Sequence, residues 1–212
     1  MGKHETINSV IGILGLIVAS ITAYHQFMPE SDQLELEVSS ILTSVPLKQY
    51  YNFEDGISDE KLKISGPFFW KITAYNSLDR TVTIKDIDTK LFSDNGGFIT
   101  YSDMNLGIFN RKLDPLSLPL SINANEAKVI LVGLKVPIVN EASCFSSENT
   151  RSDIERCYYE KGYDLFGNTV TKNSPNSFSW DSFTKAPVFL STIRTGDNSK
   201  IYNELSFYPF AN

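Results

Sequence analysis

Residues 68–92, FFWKITAYNSLDRTVTIKDIDTKLF, decide the fold class. Phe68, Trp70, Ile72 and Ala74 alternate with Lys71 and Thr73, the two-residue period of a strand with one buried face. Asn76-Ser-Leu-Asp-Arg80 reads as a polar turn, and Thr81-Val82-Thr83-Ile84 resumes the alternation, so the segment is predicted to be a hairpin. Past Ile84 the apolar positions move from even to odd numbers, at Ile87 and Leu91. That shift predicts a bulge near Lys85 and Asp86.

Working outward, Asp94-Asn95-Gly96-Gly97 has the chemistry of a tight turn, and Phe98-Ile99-Thr100-Tyr101 reads as a strand. Upstream, Leu34, Leu36 and Val38 alternate with Glu35 and Glu37, again a strand. Residues 45–66, with Pro46, Glu54-Asp55-Gly56 and Ser65-Gly66-Pro67, read as loops around short extended pieces. Pro115 and Pro119 confine LSLPLSI to a sheet edge or a covering segment. KVILVGLKV, residues 128–136, is the most hydrophobic strand and is expected at the centre. Residues 140–184, approximately, break the rhythm and read as an insertion. Within it Ser152-Asp-Ile-Glu155 fits a capping box, Ile154, Cys157 and Tyr158 share one face, and Gly162 stands where a helix would stop. VFLSTIRT, a Gly196-Asp-Asn198 turn and KIYNELSFYPF form a final hairpin.

Short strands, turn signals between them and little helical pattern predict a mainly β protein, an antiparallel β-sandwich. KITAYNSLDRTVTIKDIDTKL resembles the paired strands of small immunoglobulin-like modules in bacterial envelope proteins. The resemblance covers about twenty residues and implies a sandwich without implying a ligand. The Cys-Trp-Cys spacing of antibody domains is absent.

A different solvent is written into residues 7–28, INSVIGILGLIVASITAYHQFM, inside a run from Thr6 to Pro29 that carries no formal charge. As a helix these residues would be roughly 33 Å long, against the ~30 Å hydrocarbon core of a bilayer. A retained single transmembrane helix is the preferred reading. A cleaved secretory signal lacks a good small-residue cut site, and a buried core helix is the remaining alternative. Tyr24, His25 and Phe27 would mark one interface. Lys3 precedes the span and the first basic residue after it is Lys48, which places the N-terminus in the cytoplasm and the β domain outside it. Gly12, Gly15, Ala19 and Ala23 form a small-residue face suited to self-association of the span. The start MGKHET also fits a myristoylation pattern, though a spanning helix gains little from one acyl chain. The domain plan is a tail over 1–6, the span over 7–28, a linker over 29–33 and one β domain over 34–212.

Charge and histidine usage exclude whole function classes. A net charge of −6 and a pI near 5.0, with no basic cluster, argue against nucleic acid. His4 and His25 both flank the span, so the β domain contains no histidine for Ser-His or Cys-His pairs or for His-ligated metals. Ser58-Asp-Glu-Lys61, Ser93-Asp94-Asn95 and Arg194-Thr195-Gly196 resemble, in chain order, the elements of penicillin-recognising serine enzymes. That resemblance would imply Lys61 activating Ser58. The family sets this pair on a buried helix in a large helical subdomain, which is not written here, and Ser182-Phe-Thr-Lys185 repeats the pattern. Ordinary turns are the preferred reading. The acids Glu54, Asp55, Asp59, Glu60, Asp86 and Asp88 are read as solvated, since no EF-hand pattern joins them. No catalytic, cofactor-binding or metal residues are assigned.

Two features remain. Cys144 and Cys157 lie thirteen positions apart in the insertion, and a disulfide is expected in an exported domain, where it would contribute ~3 kcal/mol by loop closure. Phe178 and Trp180, beside Asp181, are a candidate platform for a sugar or peptide, against the alternative that rings at alternate positions fill a core. The expected function is a non-catalytic binding or assembly module at the membrane surface. Its expected partners are the lipid bilayer and another membrane or envelope protein. The alternative is a membrane-tethered hydrolase using carboxylates or a Ser-Lys pair.

Overall fold

Residues 128–136 alternate valine, isoleucine and leucine with few charges, and the strand they form carries neighbours along both of its edges. The computed structural model describes residues 31–53, 62–92, 98–99, 104–175, 177–181 and 185–207. The chain divides into two units, Met1–Asp32 and Gln33–Asn212. Only residues 31–32 of the first are described, so the predicted span over 7–28, with Gly12, Gly15, Ala19 and Ala23, lies outside the described residues. Among the described residues no helix is long and apolar enough to cross a membrane.

The second unit begins with strands β1 (Glu35–Ile41), β2 (Lys48–Phe53), β3 (Leu62–Tyr75), β4 (Val82–Phe92), β5 (Phe98–Ile99) and β6 (Asn105–Phe109). It continues with β7 (Leu120–Ile122), β8 (Ala127–Val139), a 3-10 turn at Ala142–Cys144 and the helix α1 (Arg151–Glu160). The ribbon strands β9 (Val170–Ser174) and β10 (Ser177–Trp180) follow, then β11 (Val188–Thr195) and β12 (Lys200–Leu205). The first sheet runs β1-β3-β8-β6, with β2 also pairing β3. The second runs β12-β11-β4-β5, with β7 also pairing β4, while β9 and β10 pair only with each other. Every pairing is antiparallel, and the protein is mainly β.

Alternation in the sequence becomes one shared core. Phe68, Trp70, Ile72 and Ala74 of β3 and Ile130, Val132 and Leu134 of β8 are buried together with Val82, Ile84, Ile87, Phe189, Ile193 and Leu205 of the second sheet. The Trp70 ring lies 5.8 Å from that of Phe189, and its Nε1 donates to the Ser206 carbonyl at 3.0 Å, just past β12. Large side chains buried this completely contribute ~1.5–3 kcal/mol each, which makes the inward faces the main source of cohesion.

Several expectations hold. β8 is central to its sheet, β7 pairs a single strand, and β11 and β12 form the terminal hairpin. The bulge falls where the parity change put it: Arg194 pairs with Asp86 and Thr195 with Ile84, leaving Lys85 extra on β4.

The predicted hairpin over 68–92 is corrected. β3 and β4 are consecutive but belong to different sheets, so residues 76–81 arch across the core. The reason is that over residues 69–75 both edges of β3 are already filled, by β1 and by β8. Asn76, 1 % exposed, holds the arch. Its Nδ2 donates to the carbonyls of Arg80 (2.8 Å), Ile122 (3.0 Å) and Asn123 (3.0 Å), and its Oδ1 accepts from the Leu78 amide (3.1 Å). Ser65-Gly66-Pro67 is likewise no loop, since β3 runs through it. The register against β8 slips between Ser65 and Phe68, so the missing N–H of Pro67 falls at an irregularity. A Cβ on Gly66 would stand 3.1 Å from the Leu134 carbonyl oxygen, so glycine permits the close approach. The turn at 94–97 lies outside the described residues.

Candidate functional site

The insertion leaves the first sheet at Val139, and its first residues are fixed by a carboxylate. Glu141 accepts from the Ser143 hydroxyl at 2.6 Å and from the Tyr163 hydroxyl at 2.7 Å, with Lys161 Nζ at 3.4 Å. These donors, Ser143 foremost, lower its pKa to about 2. Burial, reinforced by the bond to Glu141, pushes the Tyr163 phenol up to about 12.

Cys144 and Cys157 are joined in a disulfide, as expected, with Cα atoms 5.7 Å apart. It ties the 3-10 turn to α1. The predicted helix is present, but its cap lies two residues earlier than the Ser152–Glu155 reading. Thr150 is the N-cap, its amide donates to Asp153 Oδ2 at 3.0 Å, and its Oγ1 accepts from the Asp153 amide at 3.4 Å. Gly162, at φ +89°, follows the helix end in the left-handed region, as its type predicted.

The two sides of α1 do different things. Ile154 and Tyr158 are fully buried against the core, and the Tyr158 hydroxyl donates to the Val139 carbonyl. Burial raises the pKa values of both Tyr158 and Tyr159. Arg151 bridges helix and sheet: its guanidinium lies 5.4 Å from the Phe68 ring and 5.2 Å from the Phe207 ring, and Nε donates to Glu155 at 2.7 Å. On the other side Tyr159 meets β10, with ring centroids 5.2 Å from Phe178 and 5.3 Å from Trp180. Lys172 Nζ stands 6.0 Å from the Phe178 ring. Between helix and ribbon runs an open groove of about 250 Å³ lined by Ser152, Glu155, Arg156, Tyr159, Pro175 and Phe178.

This groove is the candidate site. Phe178 lines it, whereas Trp180 is half-buried beside Tyr159 and does not. Asp181 is exposed, with its amide 3.4 Å from the Thr169 carbonyl, and it is not a lining residue either. The proposed platform is therefore a ring cluster whose third member, Tyr159, comes from the helix. Sequence reasoning missed Tyr159, Arg156 and Pro175. Ser152, Glu155, Arg156 and Tyr159 have the i, i+3, i+4, i+7 spacing of a single helical stripe, and that was the available signal.

No protein-family model and no curated protein matches the chain. Among solved structures it is similar to one described as an X-ray structure of Northeast Structural Genomics Consortium target SoR45. The match has a TM-score of 0.34 and 8% identity, over 84% of this chain and 88% of that one. A likeness so low bears on neither fold nor ligand.

Of the residues considered for serine chemistry, Ser58, Lys61, Ser93, Asp94, Asn95 and Ser182 lie outside the described residues. Thr195, fully buried, donates from Oγ1 to Asp197 at 2.6 Å in the β11–β12 turn. Among the described residues no group of three or more His, Cys, Asp or Glu is placed to hold a metal ion. Asp86 and Asp88 sit on β4, where Asp88 is 3.7 Å from Lys90.

Proposed function

We propose that this chain is a single-pass membrane protein, anchored by residues 7–28 with its N-terminus in the cytoplasm. Its two sheets form an immunoglobulin-like β-sandwich that acts without catalysis as a binding or assembly module for another membrane or envelope protein. The observation that supports a protein partner is the groove between α1 and β10. It sets Arg156, Tyr159 and Phe178 on an insertion pinned by the Cys144–Cys157 disulfide. Aromatic residues and arginine on a rigid support are the side chains that dominate protein interfaces. Helix and ribbon hold the rings in advance, so little ordering cost falls on association.

Crosslinking in native membranes tests this reading, with a photoreactive group at Ser152 on the groove rim. A discrete protein adduct that disappears in Arg156→Ala and Phe178→Ala is the expected result. An adduct pattern unchanged by both substitutions would remove the groove from the interface. Carbonate extraction of the full chain tests the anchor, and recovery of the intact chain in the soluble fraction would refute it.

A further inference from the structure

Three polar side chains share one rung of the second sheet. Ser191 of β11 stands opposite Asn203 of β12 on one side and Thr89 of β4 on the other. Cross-strand partners project to the same face. Ser191 is fully buried between Phe189 and Ile193, which are themselves buried, so that face is the core. The rungs on either side are apolar: Leu91, Phe189 and Leu205 in one, Ile87, Ile193 and Ile201 in the other. Thr89 Oγ1, Ser191 Oγ and Asn203 Nδ2 are shielded from solvent, and none has a hydrogen-bond partner among the described residues.

Such groups in the middle of an apolar core are costly unless something satisfies them. What could do so is constrained by their chemistry. The two hydroxyls donate and accept, and the amide nitrogen only donates. All three are neutral, so they offer an ion no opposite charge. Rungs of an antiparallel pair place adjacent Cα atoms about 4.5–5.5 Å apart, which leaves room between neighbouring side-chain tips for a molecule one hydrogen bond from each.

We propose that this rung is an internal water site. At least one ordered water sits against Ser191, accepting from Asn203 Nδ2 and exchanging hydrogen bonds with the hydroxyls of Ser191 and Thr89. Buried waters typically make about three such bonds, the number this rung supplies. The site links β4, β11 and β12 along the inner face of their sheet by polar contacts that backbone pairing does not provide.

A high-resolution crystal structure of the full chain in detergent, together with the melting temperatures of Thr89→Val and Ser191→Ala, tests the site. The expected result is water density ~2.7–3.2 Å from each of Ser191 Oγ, Thr89 Oγ1 and Asn203 Nδ2. Both variants then melt several degrees lower, because each removes a partner from the bound water. A dry rung responds the other way, since replacing an unpaired hydroxyl by a methyl or a hydrogen leaves melting unchanged or raises it. The proposal is overturned by that response, by the lack of a peak, or by direct bonds among the three side chains.

Discussion

Arg151 donates from Nη1 to the hydroxyl of Ser40 at 2.8 Å, joining residues 111 positions apart and fastening the helix of the insertion to the first strand. The same guanidinium covers Phe68 and Phe207 and pairs with Glu155, whose side chain is 17% exposed. Arg151→Ala is therefore expected to lower unfolding stability by about 2 kcal/mol, measured by urea denaturation. Arg151→Lys should restore less than half of it, because an ammonium cannot form the planar fork that meets Ser40 and Glu155 together.

Removing the disulfide through Cys144→Ser with Cys157→Ser is expected to cost about 3 kcal/mol, the loop-closure entropy of a short ring. Reductant should destabilise the native protein by a similar amount and leave the double variant unaffected.

Asn76 makes four hydrogen bonds while nearly fully buried, so Asn76→Ala strands several backbone groups at the arch. A loss of about 2–4 kcal/mol is expected by chemical denaturation. Asn76→Asp should not rescue it, since a carboxylate cannot donate to the carbonyls of Arg80, Ile122 and Asn123.

Glu141 gives a pH signature. Its folded pKa is depressed from 4.5 to about 2, so its stabilising contribution is complete above pH 4.5 and is lost as pH falls toward 2. Comparing urea midpoints of the native protein and Glu141→Gln across that window should show the native protein ahead at pH 5. The difference should shrink steeply toward pH 2 and close only below it. A difference that stays constant from pH 5 to pH 2 would contradict the assignment.

Much of the fold was legible because local pattern and tertiary demand agree. The run over 128–136 became the β8 centre, the parity change marked the Lys85 bulge, and the stretch from Ser152 to Gly162 held a helix whose cap begins two residues earlier. What was not legible depends on partners distant in sequence. A polar turn after Ala74 looks the same whether it closes a hairpin or arches between sheets, and only the occupation of both β3 edges decides. Gly66-Pro67 punctuates a loop equally well, yet here it marks a slip of register inside a strand. The disulfide followed from spacing and setting, whereas the union of Phe178 with Tyr159 needed the helix placed first.

The arch at Asn76 also shapes how the chain can be made. Tyr75 of β3 finds its partner in Ala127, some fifty residues later, so the β3 edge from Phe68 to Tyr75 is synthesised long before β8 can pair with it. At ~5–20 residues per second that interval is roughly 3–10 s. For those seconds β1 fills only the opposite edge, and the nascent polypeptide depends on a chaperone to keep the open one from pairing with another chain.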